Sequence, residues 1–590
     1  MNARLTLLLL LLCGCASPDP VGVSRASLTS ALYGSDGEAF VPEGRLMDWS
    51  YAGYGAGERA IPDVAVVANV MDYGAVGDGS TDDGQALEDA ISAAEAAGGG
   101  AVLLPAGRYS MRRRLELSSG VVLRGAGPLQ TVLYFPEALT PLYGGDYSFG
   151  GGFIQAYGNS TLPTLTTVTE GALRGSTSLV VADASGIAVG DWILIRQTDA
   201  GGTLMRRLHD DHVPGGTDNT GDVGMNFPTR VTAIDGDTLT LERALIVDVE
   251  TRWSPTVYAV VPTLEEVGVE HLTMEFPVTT YPGHFNEEGF NGIHYRHAWN
   301  SWVRDVRIRN ADYGVSFNHS FFTTATGVVL DTTGDRGELT GHHGLNNGFG
   351  GDNLFVDFDI QTTFVHDLTN EWYAHGIVFA RGRGDDLCMD HHRAAPYATL
   401  WTELDLGAGE RPFRSGGRGD RGPHTASYDT LWNVRGARAL SLPAANYGPT
   451  MTFVGFDTRD SIPEGALDWH LEHAESTDPP ATDVEPANLW VAMRERRLGP
   501  PPTPDAGVPD AGMDAGASID AGGQDAGPPM PAGDAASRPD SSVSVDAGTE
   551  PMEEGCSCRA AGGDRRGAPW ALLPLAALYG WRRRRHPGRG

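Results

Sequence analysis

Polar and apolar residues alternate in short runs of the chain, and one segment has a longer period. Val306-Arg307-Ile308-Arg309 and Val356-Asp357-Phe358-Asp359-Ile360 repeat every two residues, which predicts β-strands. Earlier in the chain, an apolar stripe at helical spacing consists of Ala86, Leu87, Ala90, Ile91 and Ala94. Ser80 or Thr81 can cap the start of this helix, and Gly98 to Gly100 end it. The pattern therefore predicts a capped helix followed by a stack of short strands.

The later chain contains comparable units that open with a glycine and an apolar residue. These pairs are Gly292-Ile293, Gly314-Val315, Gly344-Leu345 and Gly376-Ile377. One unit cannot bury an apolar face by itself, whereas stacked units share a continuous core. Because the units differ in length, we expect loops to bulge from some of the coils.

Residues 163–262 have a different pattern. Apolar runs there form pairs separated by hairpin turns, one of which contains Asp235-Gly236. We interpret this segment as a small β subdomain inserted into the stack. The alternative is that these residues form further coils.

Glycine-rich motifs crowd the region around the predicted helix. They are Asp72-Tyr73-Gly74-Ala75, Gly77-Asp78-Gly79, Thr81-Asp82-Asp83, Leu104-Pro105-Ala106-Gly107 and Leu123-Arg124-Gly125-Ala126-Gly127. Together they resemble the start of the pectate-lyase superfamily, in its rhamnogalacturonase/epimerase-like branch. The resemblance implies an all-β fold, a right-handed parallel β-helix with an N-terminal capping helix and substrate clefts outside the coils. A shared fold does not by itself transfer a reaction.

The composition excludes several classes of function. The 590 residues carry a net charge of −33, so a nucleic-acid partner is not expected. The sequence contains no lysine, so all 43 basic residues are arginines. Schiff-base chemistry and a lysine general base are thereby excluded.

Both ends of the chain resemble export signals. An apolar run from Leu5 to Leu12 follows Arg4, as in secretory signals, and Leu12-Cys13-Gly14-Cys15 resembles a lipobox that would lipidate Cys15. Residues 499–551 are rich in Pro, Gly, Ala, Ser and Asp, which predicts a disordered acidic stalk. Cys556 and Cys558, a short apolar patch and Arg582 to Arg585 then resemble a MYXO-CTERM sorting tag. We therefore expect an exported protein at the cell surface or outer membrane, held to the membrane by its anchor and tag.

These features predict a linear organisation of seven segments. They are a signal peptide (1–15), an N-terminal extension (16–62), the start of the β-helix with its capping helix (63–162), the inserted subdomain (163–262), coils carrying the candidate site (263–498), the stalk (499–554) and the sorting tag (555–590).

A column of histidines is the first candidate for chemistry. The residues directly before the four glycines are Asn291, Tyr313, His343 and His375. If the coils stack in register, His343 and His375 lie on neighbouring turns, roughly 5 Å apart. The alternative is a hydrogen-bonded ladder that only stabilises the stack.

A charged stretch follows the last of these units. Asp390-His391-His392-Arg393 gathers ionisable groups, shortly after Asp385-Asp386. If Leu387 and Met389 face the core, alternation turns Asp386, Asp390 and His392 outward onto one exposed strip. Loop arginines such as Arg393 and Arg414 suit the carboxylates of acidic sugars. Further candidates for substrate contact are His424, Trp372 and Trp401.

Two reactions fit these residues. In β-elimination, His343, His375 or His392 is the base, and Arg393 or Arg414 grips a uronate carboxylate. In hydrolysis, Asp386 and Asp390 share the acid and base roles. A metal site from His343, His375, Asp390 and His392 is conceivable, but no tight ligand spacing demands one. We therefore assign no metal and no required cofactor, and we leave calcium dependence open.

The function predicted from the sequence is that of a surface-anchored enzyme that cleaves an acidic polysaccharide. The alternative is a non-catalytic glycan-binding or adhesive β-helix protein, which would need arginines and aromatic rings but no acid and base. The sequence does not specify the sugar, the linkage or the oligomeric state.

Overall fold

A computed structural model describes residues 28–160, 162–198, 201–211, 224–473 and 484–500. The predicted signal peptide, all but the first two residues of the predicted stalk, and the sorting tag lie outside these residues, as do Cys15, Cys556 and Cys558. Within the described ranges, none of the helices is both long and apolar enough to cross a membrane.

Most of the described strands pair in parallel with a strand one coil earlier and one coil later. One sheet, the seven-stranded sheet, contains Leu115–Glu116, Ile154–Tyr157, Asn291–Arg296, Tyr313–Asn318, Gly341–Gly348, Phe364–Glu371 and Met389–His391. The other, the large sheet, contains Val66–Asn69, Asp78–Asp82, Gly100–Leu104, Gly107–Ser110, Val121–Gly125, Thr131–Tyr134, Gly268–Glu275, Trp302–Arg309, Thr324–Thr326, Val329–Asp331, Leu354–Val356, Asp359–Gln361, Val378–Ala380, Arg383–Gly384, Leu400–Asp405, Thr430–Arg435, Thr452–Val454 and His470–Glu472. This parallel β-helix confirms the predicted fold class.

The coils turn sharp corners at residues with left-handed backbone. At the bend within the large sheet, these residues include Asp305, Asp357, Arg381 and Glu403, with φ between 48° and 56°. At a second corner they are His297, His319, Phe349 and Trp372, with φ between 52° and 59°. Non-glycine residues avoid this region because of steric crowding, so the stacked neighbours must hold them there. The stacking is visible in the rings of His319 and Phe349, whose centroids lie 4.2 Å apart.

The core of the β-helix is built from rows of residues in register. The inward row of the seven-stranded sheet consists of Ile154, Ile293, Val315, Leu345, Leu368 and Met389, all at most 1% exposed. Burying one such side chain contributes about 1.5–3 kcal/mol. A second interior row stacks Phe317, Phe355, Phe379 and Trp401. The rows fix the register of each coil against the next.

The helix Gly84–Ala96 covers the first coils with the predicted apolar stripe, whose five residues are all buried. Its predicted cap is wrong, because Ser80 and Thr81 lie in the strand Asp78–Asp82 and the residue before the helix is Asp83. The Asp83 carboxylate instead accepts hydrogen bonds from the backbone N–H groups of Val76 and Gly77.

Six antiparallel strands leave the β-helix between its early and later coils. They are Thr164–Thr167, Ser178–Val180, Trp192–Thr198, Gly224–Asp235, Thr238–Leu241 and Thr256–Ala259. They fall within residues 163–262, although the domain boundaries themselves stay a prediction. The remaining regular elements are the helices Leu139–Tyr143, Thr203–Leu208 and Leu489–Leu498 and the paired strands Leu28–Thr29 and Val484–Glu485.

A buried ion pair joins this six-stranded region to the coils. Arg243 donates both terminal nitrogens to the Asp352 carboxylate, at 2.7 and 3.0 Å, and both side chains are at most 2% exposed. Arg243 also lies over the rings of Tyr51 and Phe227. A bidentate pair of this kind is geometrically specific, and it leaves neither charge unpaired.

The outward row of the seven-stranded sheet is polar and also buried. It consists of Gln155, His294, Ser316, Asn346, Thr369 and Asp390. His294 Nδ1 accepts the N–H of Gly151 at 2.8 Å and lies 2.9 Å from the hydroxyl of Tyr157. Burial, assisted by the charge of Arg296, lowers the pKa of His294 to about 4.

Removing one partner of the buried ion pair should destabilise the protein strongly. We expect Arg243→Met to lower the free energy of unfolding by about 3–5 kcal/mol, because Asp352 then stays buried without a counter-charge. Urea denaturation followed by tryptophan fluorescence measures the change. Arg383→Gln is the control, since Arg383 pairs with Asp359 at the surface, where loss of a pair costs less than about 1 kcal/mol. Equal effects of the two substitutions would contradict the role of the buried pair.

His294 should make stability depend on pH. The pKa of His294 in the folded state is about 4, below its ordinary value of 6.5. At a pH between these two values the folded state therefore binds fewer protons than the unfolded chain. The contribution of His294 to the free energy of unfolding is complete above about pH 6.5 and is lost as the pH falls toward 4. About 1–2 kcal/mol of it is lost by pH 5. Denaturation at pH 7.5 and at pH 5 should show a smaller loss for His294→Gln than for the natural protein. Identical losses would show that His294 does not titrate in this way.

Candidate functional site

Loops cover the outer face of the seven-stranded sheet at its later coils. They comprise residues 135–153, 276–290, 332–340 and 406–429, which connect successive strands. Beneath them lies a group that we call the histidine cluster: His284, His342, His343, His366, Asp390 and His392. His342, His343, His366, Asp390 and His392 are buried and His284 is half-buried. The parallel register brings the later residues together from three successive coils, and the loop 276–290 adds His284.

Asp390 is the centre of one half of the cluster. One of its oxygens lies 2.7 Å from His392 Nδ1 and 3.1 Å from His366 Nδ1, and the other accepts the N–H of Gly416 at 2.8 Å. Burial alone would raise the pKa of Asp390, but His366 and His392 lower it well below the usual range. Asp390 is therefore a carboxylate at neutral pH, and it accepts a hydrogen bond from His392 Nδ1 and has a 3.1 Å ion-pair contact with His366 Nδ1.

The second half of the cluster is a pair of facing imidazoles. His342 Nδ1 lies 2.7 Å from the carbonyl oxygen of Ser148, which can only accept, so this nitrogen carries a proton. In the neutral ring, His342 Nε2 then has the lone pair, and it lies 2.8 Å from His284 Nε2. His343 Nδ1 contacts the Thr369 hydroxyl at 2.8 Å.

Burial keeps these imidazoles uncharged. It is the main cause that lowers the pKa of His284 to about 4 and the pKa of His342 and His343 well below the ordinary value. Neighbouring histidines lower all three further. Burial also lowers the pKa of His366, although Asp390 opposes the change. The cluster therefore offers neutral nitrogen bases near the Asp390 carboxylate.

An exposed cation and two aromatic rings border the cluster. Arg414 lies two residues before Gly416, whose backbone lies against the rings of His366 and His392, and its charge adds to burial in lowering the pKa of His284 and His366. Arg414 is exposed, and no acid forms an ion pair with it among the residues that the structure describes. Phe149 and Phe285 are 41% and 36% exposed, and their centroids are 5.3 Å apart. This edge of the cluster can therefore meet both the charge and the ring of an acidic sugar.

The structure brings His343, Asp390 and His392 together, but not on an exposed strip. Leu387 and Met389 face the core as predicted, and alternation turns Asp390 and His392 outward. The predicted exposure is wrong, since Asp390 and His392 are 0% and 6% exposed. The cause is the loop around Gly416, whose backbone lies against the rings of His366 and His392.

The predicted position of His375 is wrong. The strand residue in register with His343 is His366, on Phe364–Glu371. His375 is instead stacked on Tyr397, with centroids 5.4 Å apart, and lies beside Asp352 of the buried ion pair. The metal site that was conceivable from His343, His375, Asp390 and His392 is therefore not formed. The misplacement follows from Gly376, which lies at a corner with φ of 62° rather than in a strand of this sheet.

Asp386 does not form the carboxylate pair that hydrolysis requires. Its oxygens accept the N–H of Glu410 at 2.7 Å and lie 3.2 Å from Arg411 Nε. Arg411 also binds Asp367, which is buried. Asp386 thus belongs to an ion-pair network with Arg411 and Asp367.

The predicted substrate contacts are mostly engaged in the fold. Arg393 donates to the carbonyl oxygen of Gly422 and lies 3.0 Å from His424 Nε2, which ties two loop segments together. Trp401 as a sugar platform is wrong, because its ring is fully buried and stacks on Phe379 with centroids 4.5 Å apart. Trp372 is half-buried at a coil corner, where it stacks on Phe349 and contacts Arg421. Of the predicted groups, Arg414 is exposed and lies beside the cluster.

Sequence reasoning missed His284, His342 and His366, together with Phe149 and Phe285. His366 had a detectable signal, since His366-Asp367-Leu368 occupies the place of His343-Gly344-Leu345 one coil later. The glycine–apolar pattern does not include this coil, because Asp367 stands where the other coils have glycine. His284 and Phe149 lie on loops, where no periodic pattern exists to place them.

Comparison with known sequences finds a family that the early coils resemble. Residues 67–162 match the family described as rhamnogalacturonase A/epimerase, pectate lyase-like. The mannuronan C5-epimerase AlgE3 of Azotobacter vinelandii is 42% identical over 104 residues, which are 16% of this chain and 5% of that protein. Alginate lyase 7 of the same organism is 47% identical over 72 residues, 11% of this chain and 8% of that protein. The chain thus spans less than a tenth of the length of either relative.

Among solved structures, the tailspike protein gp49 of Pseudomonas phage LKA1 is 14% identical and covers 66% of this chain and 70% of its own, with a TM-score of 0.39. The A-module of mannuronan C5-epimerase AlgE6 from Azotobacter vinelandii is likewise 14% identical, covers 66% and 84%, and has a TM-score of 0.29. The sequence match is the stronger observation, and it lies on the capping helix and the first strands of the β-helix. Residues 67–162 are therefore similar to the rhamnogalacturonase A/epimerase, pectate lyase-like family, and this similarity agrees with the parallel β-helix of the structure.

Proposed function

We propose that the protein acts on an acidic polysaccharide by removing the proton next to the carboxylate of a uronic acid. This step is common to β-elimination and to epimerisation at C5. Support comes from the histidine cluster and from the names of the relatives that match residues in the range 67–162, which are mannuronan C5-epimerases and an alginate lyase. The match covers a small part of each relative, so the reaction is argued from the cluster.

His392 is the base in this proposal. Its Nδ1 donates to Asp390, so the neutral ring carries its lone pair on Nε2. The buried carboxylate fixes this tautomer and stabilises the imidazolium that forms when Nε2 takes the proton. Asp390 acts as the positioning residue, and Gly416 and Thr369 hold the carboxylate in turn.

The electrons of the broken C5–H bond pass into the uronate carboxylate, which becomes an enolate. Arg414 stabilises this charge, since it is exposed beside the cluster and its guanidinium can grip a carboxylate with two hydrogen bonds. The enolate collapses in one of two ways. If water donates a proton to C5 from the other face, C5 is inverted and His392 returns its proton to solvent. If the glycosidic oxygen at C4 is expelled instead, it takes the proton from His392, and a double bond between C4 and C5 and a broken chain remain.

The observation that carries the proposal is the buried carboxylate of Asp390, which lies between the imidazoles of His366 and His392. Hydrolysis needs two carboxyl groups placed on either side of the bond to be cleaved. Asp386, the second carboxylate of that scheme, is bound by Arg411 instead. Proton abstraction needs only one oriented base and one cation, and His392 and Arg414 provide these two groups.

Deuterium and product analysis test the reaction directly. The purified protein is incubated in D₂O with polymannuronate, alginate and polygalacturonate, and the products are followed by NMR and ultraviolet absorbance. We expect deuterium at C5, an unsaturated uronate, or both. New reducing ends without either product would show hydrolysis, and glycan binding without any product would support the adhesive alternative.

Substitution of the base should remove this activity. We expect His392→Gln to lower the rate by at least about 100-fold, because a general base contributes about 10²–10⁴-fold. Asp390→Asn should lower kcat by a smaller factor while leaving KM nearly unchanged, since it disturbs only the tautomer of the base. His294→Gln removes a buried histidine from the same sheet outside the cluster and serves as the control. Equal losses in all three variants would indicate general damage to the fold and contradict the assignment.

Arg414 should determine the preference for charged substrate. Loss of a charged hydrogen-bond donor costs about 1.5–3 kcal/mol, so Arg414→Gln should lower kcat/KM for polyuronates by about 10–100-fold. The matched control is Arg418→Gln on the same loop, whose guanidinium pairs with Asp420 at 2.6 Å. The assignment is wrong if the two variants have the same kcat/KM.

A further inference from the structure

The facing imidazoles of the cluster form an arrangement that the proposed reaction does not use. One ring nitrogen from each of His284, His342 and His366 lies within 4.8 Å of the others, and the Nε2 atoms of His284 and His342 are 2.8 Å apart. His366 is fully enclosed, its Nδ1 has only the 3.1 Å ion-pair contact with Asp390, and its Nε2 has no hydrogen-bond partner among the residues that the structure describes. A buried polar atom without a partner is costly, so this nitrogen calls for a ligand.

The Nδ1 atoms of His342 and His366 face the kinds of group that metal-binding histidines face with their second nitrogen. His342 Nδ1 donates to the carbonyl oxygen of Ser148, and His366 Nδ1 faces the Asp390 carboxylate at 3.1 Å. Metal-binding histidines almost always donate their second nitrogen to a carbonyl or a carboxylate in this way. Both arrangements leave the lone pair on Nε2, which is the form that binds a cation.

We propose that His284, His342 and His366 form a three-histidine site for Zn²⁺. Imidazole nitrogen suits this borderline ion, which binds it at about 2.0–2.1 Å. Ligand nitrogens around a tetrahedral ion then lie about 3.3 Å apart. The pair at 2.8 Å needs to separate slightly, and His284 can move because it is half-buried on the loop 276–290.

Three protein ligands leave a fourth position open, as in zinc sites that bind water or substrate. Phe285 is 36% exposed and is stacked on the ring of His284, so we expect a ligand at this position to enter at the edge of the cluster where these two rings lie. The alternative is a plain hydrogen bond from His284 to His342 with no ion between them. Metal binding is measured without any substrate, so the proposal stands or falls separately from the proposed reaction.

Zinc titration of the full chain tests the site. The purified protein is dialysed against a chelator, and Zn²⁺ is then added in competition with a chromophoric chelator. We expect one ion per chain. His284→Ala should weaken binding by more than about 100-fold, since loss of an outer partner alone typically costs about 10–100-fold. Asp390→Asn should weaken zinc binding by only about 10–100-fold, because it removes the partner of His366 and leaves all three ligands in place.

Two further measurements make the outcome decisive. His294→Gln should bind Zn²⁺ like the natural protein, and circular dichroism checks that each variant is folded. Co²⁺ in place of zinc should give the intense visible absorption of a four-coordinate site in the unsubstituted protein, a readout that needs no variant. Absence of that absorption, or equal zinc affinity of the natural protein and His284→Ala, would overturn the proposal.

Discussion

The in-register stacking of parallel coils is the constraint on which the rest of the structure depends. Each coil contributes one residue to each row, so the sheet turns a sequence of distant residues into a line of neighbours. The same register that buries Val315, Leu345 and Leu368 in the core also places Asn346 and Thr369 on the outer face. A slip of one residue would turn the apolar row outward, so the core energetically fixes the position of the candidate site.

The candidate site depends on a second constraint, which is the burial of a charge. An isolated carboxylate in the protein interior is strongly unfavourable, yet Asp390 is fully buried and its pKa is lowered. The N–H of Gly416 and the rings of His366 and His392 compensate for the lost water. Because the carboxylate needs these donors, it fixes the orientation and the tautomer of both rings. The proposed base and the proposed metal ligand would thus be held by the same oxygen atom.

The sequence predicts the fold well because the fold rests on periodic patterns and on local motifs. The alternation around Leu387 and Met389 correctly gives the inward positions, and the column Asn291, Tyr313 and His343 is in register in the structure. The next residue of this column is His366, and the pattern does not reveal it because Asp367 replaces the glycine that marks the other coils. His375, which does precede a glycine, lies at a corner and belongs to another row.

The burial and composition of the site could not be read from the same patterns. Loops with no period cover the outer face, and they carry His284 and Phe149 to the cluster. Alternation indicates the side of a strand on which a residue lies, but not whether a loop returns to cover it. For this reason the sequence predicts an exposed Asp390 and a Trp401 that stacks on sugar, although Asp390 is buried and Trp401 belongs to the interior stack.

A neutron crystal structure tests the central claim most directly, because it locates the protons around Asp390. The account predicts an unprotonated carboxylate and a proton on Nδ1 of both His366 and His392, each directed at Asp390. A proton on Asp390 itself, or rings of His366 and His392 protonated only at Nε2, would contradict it.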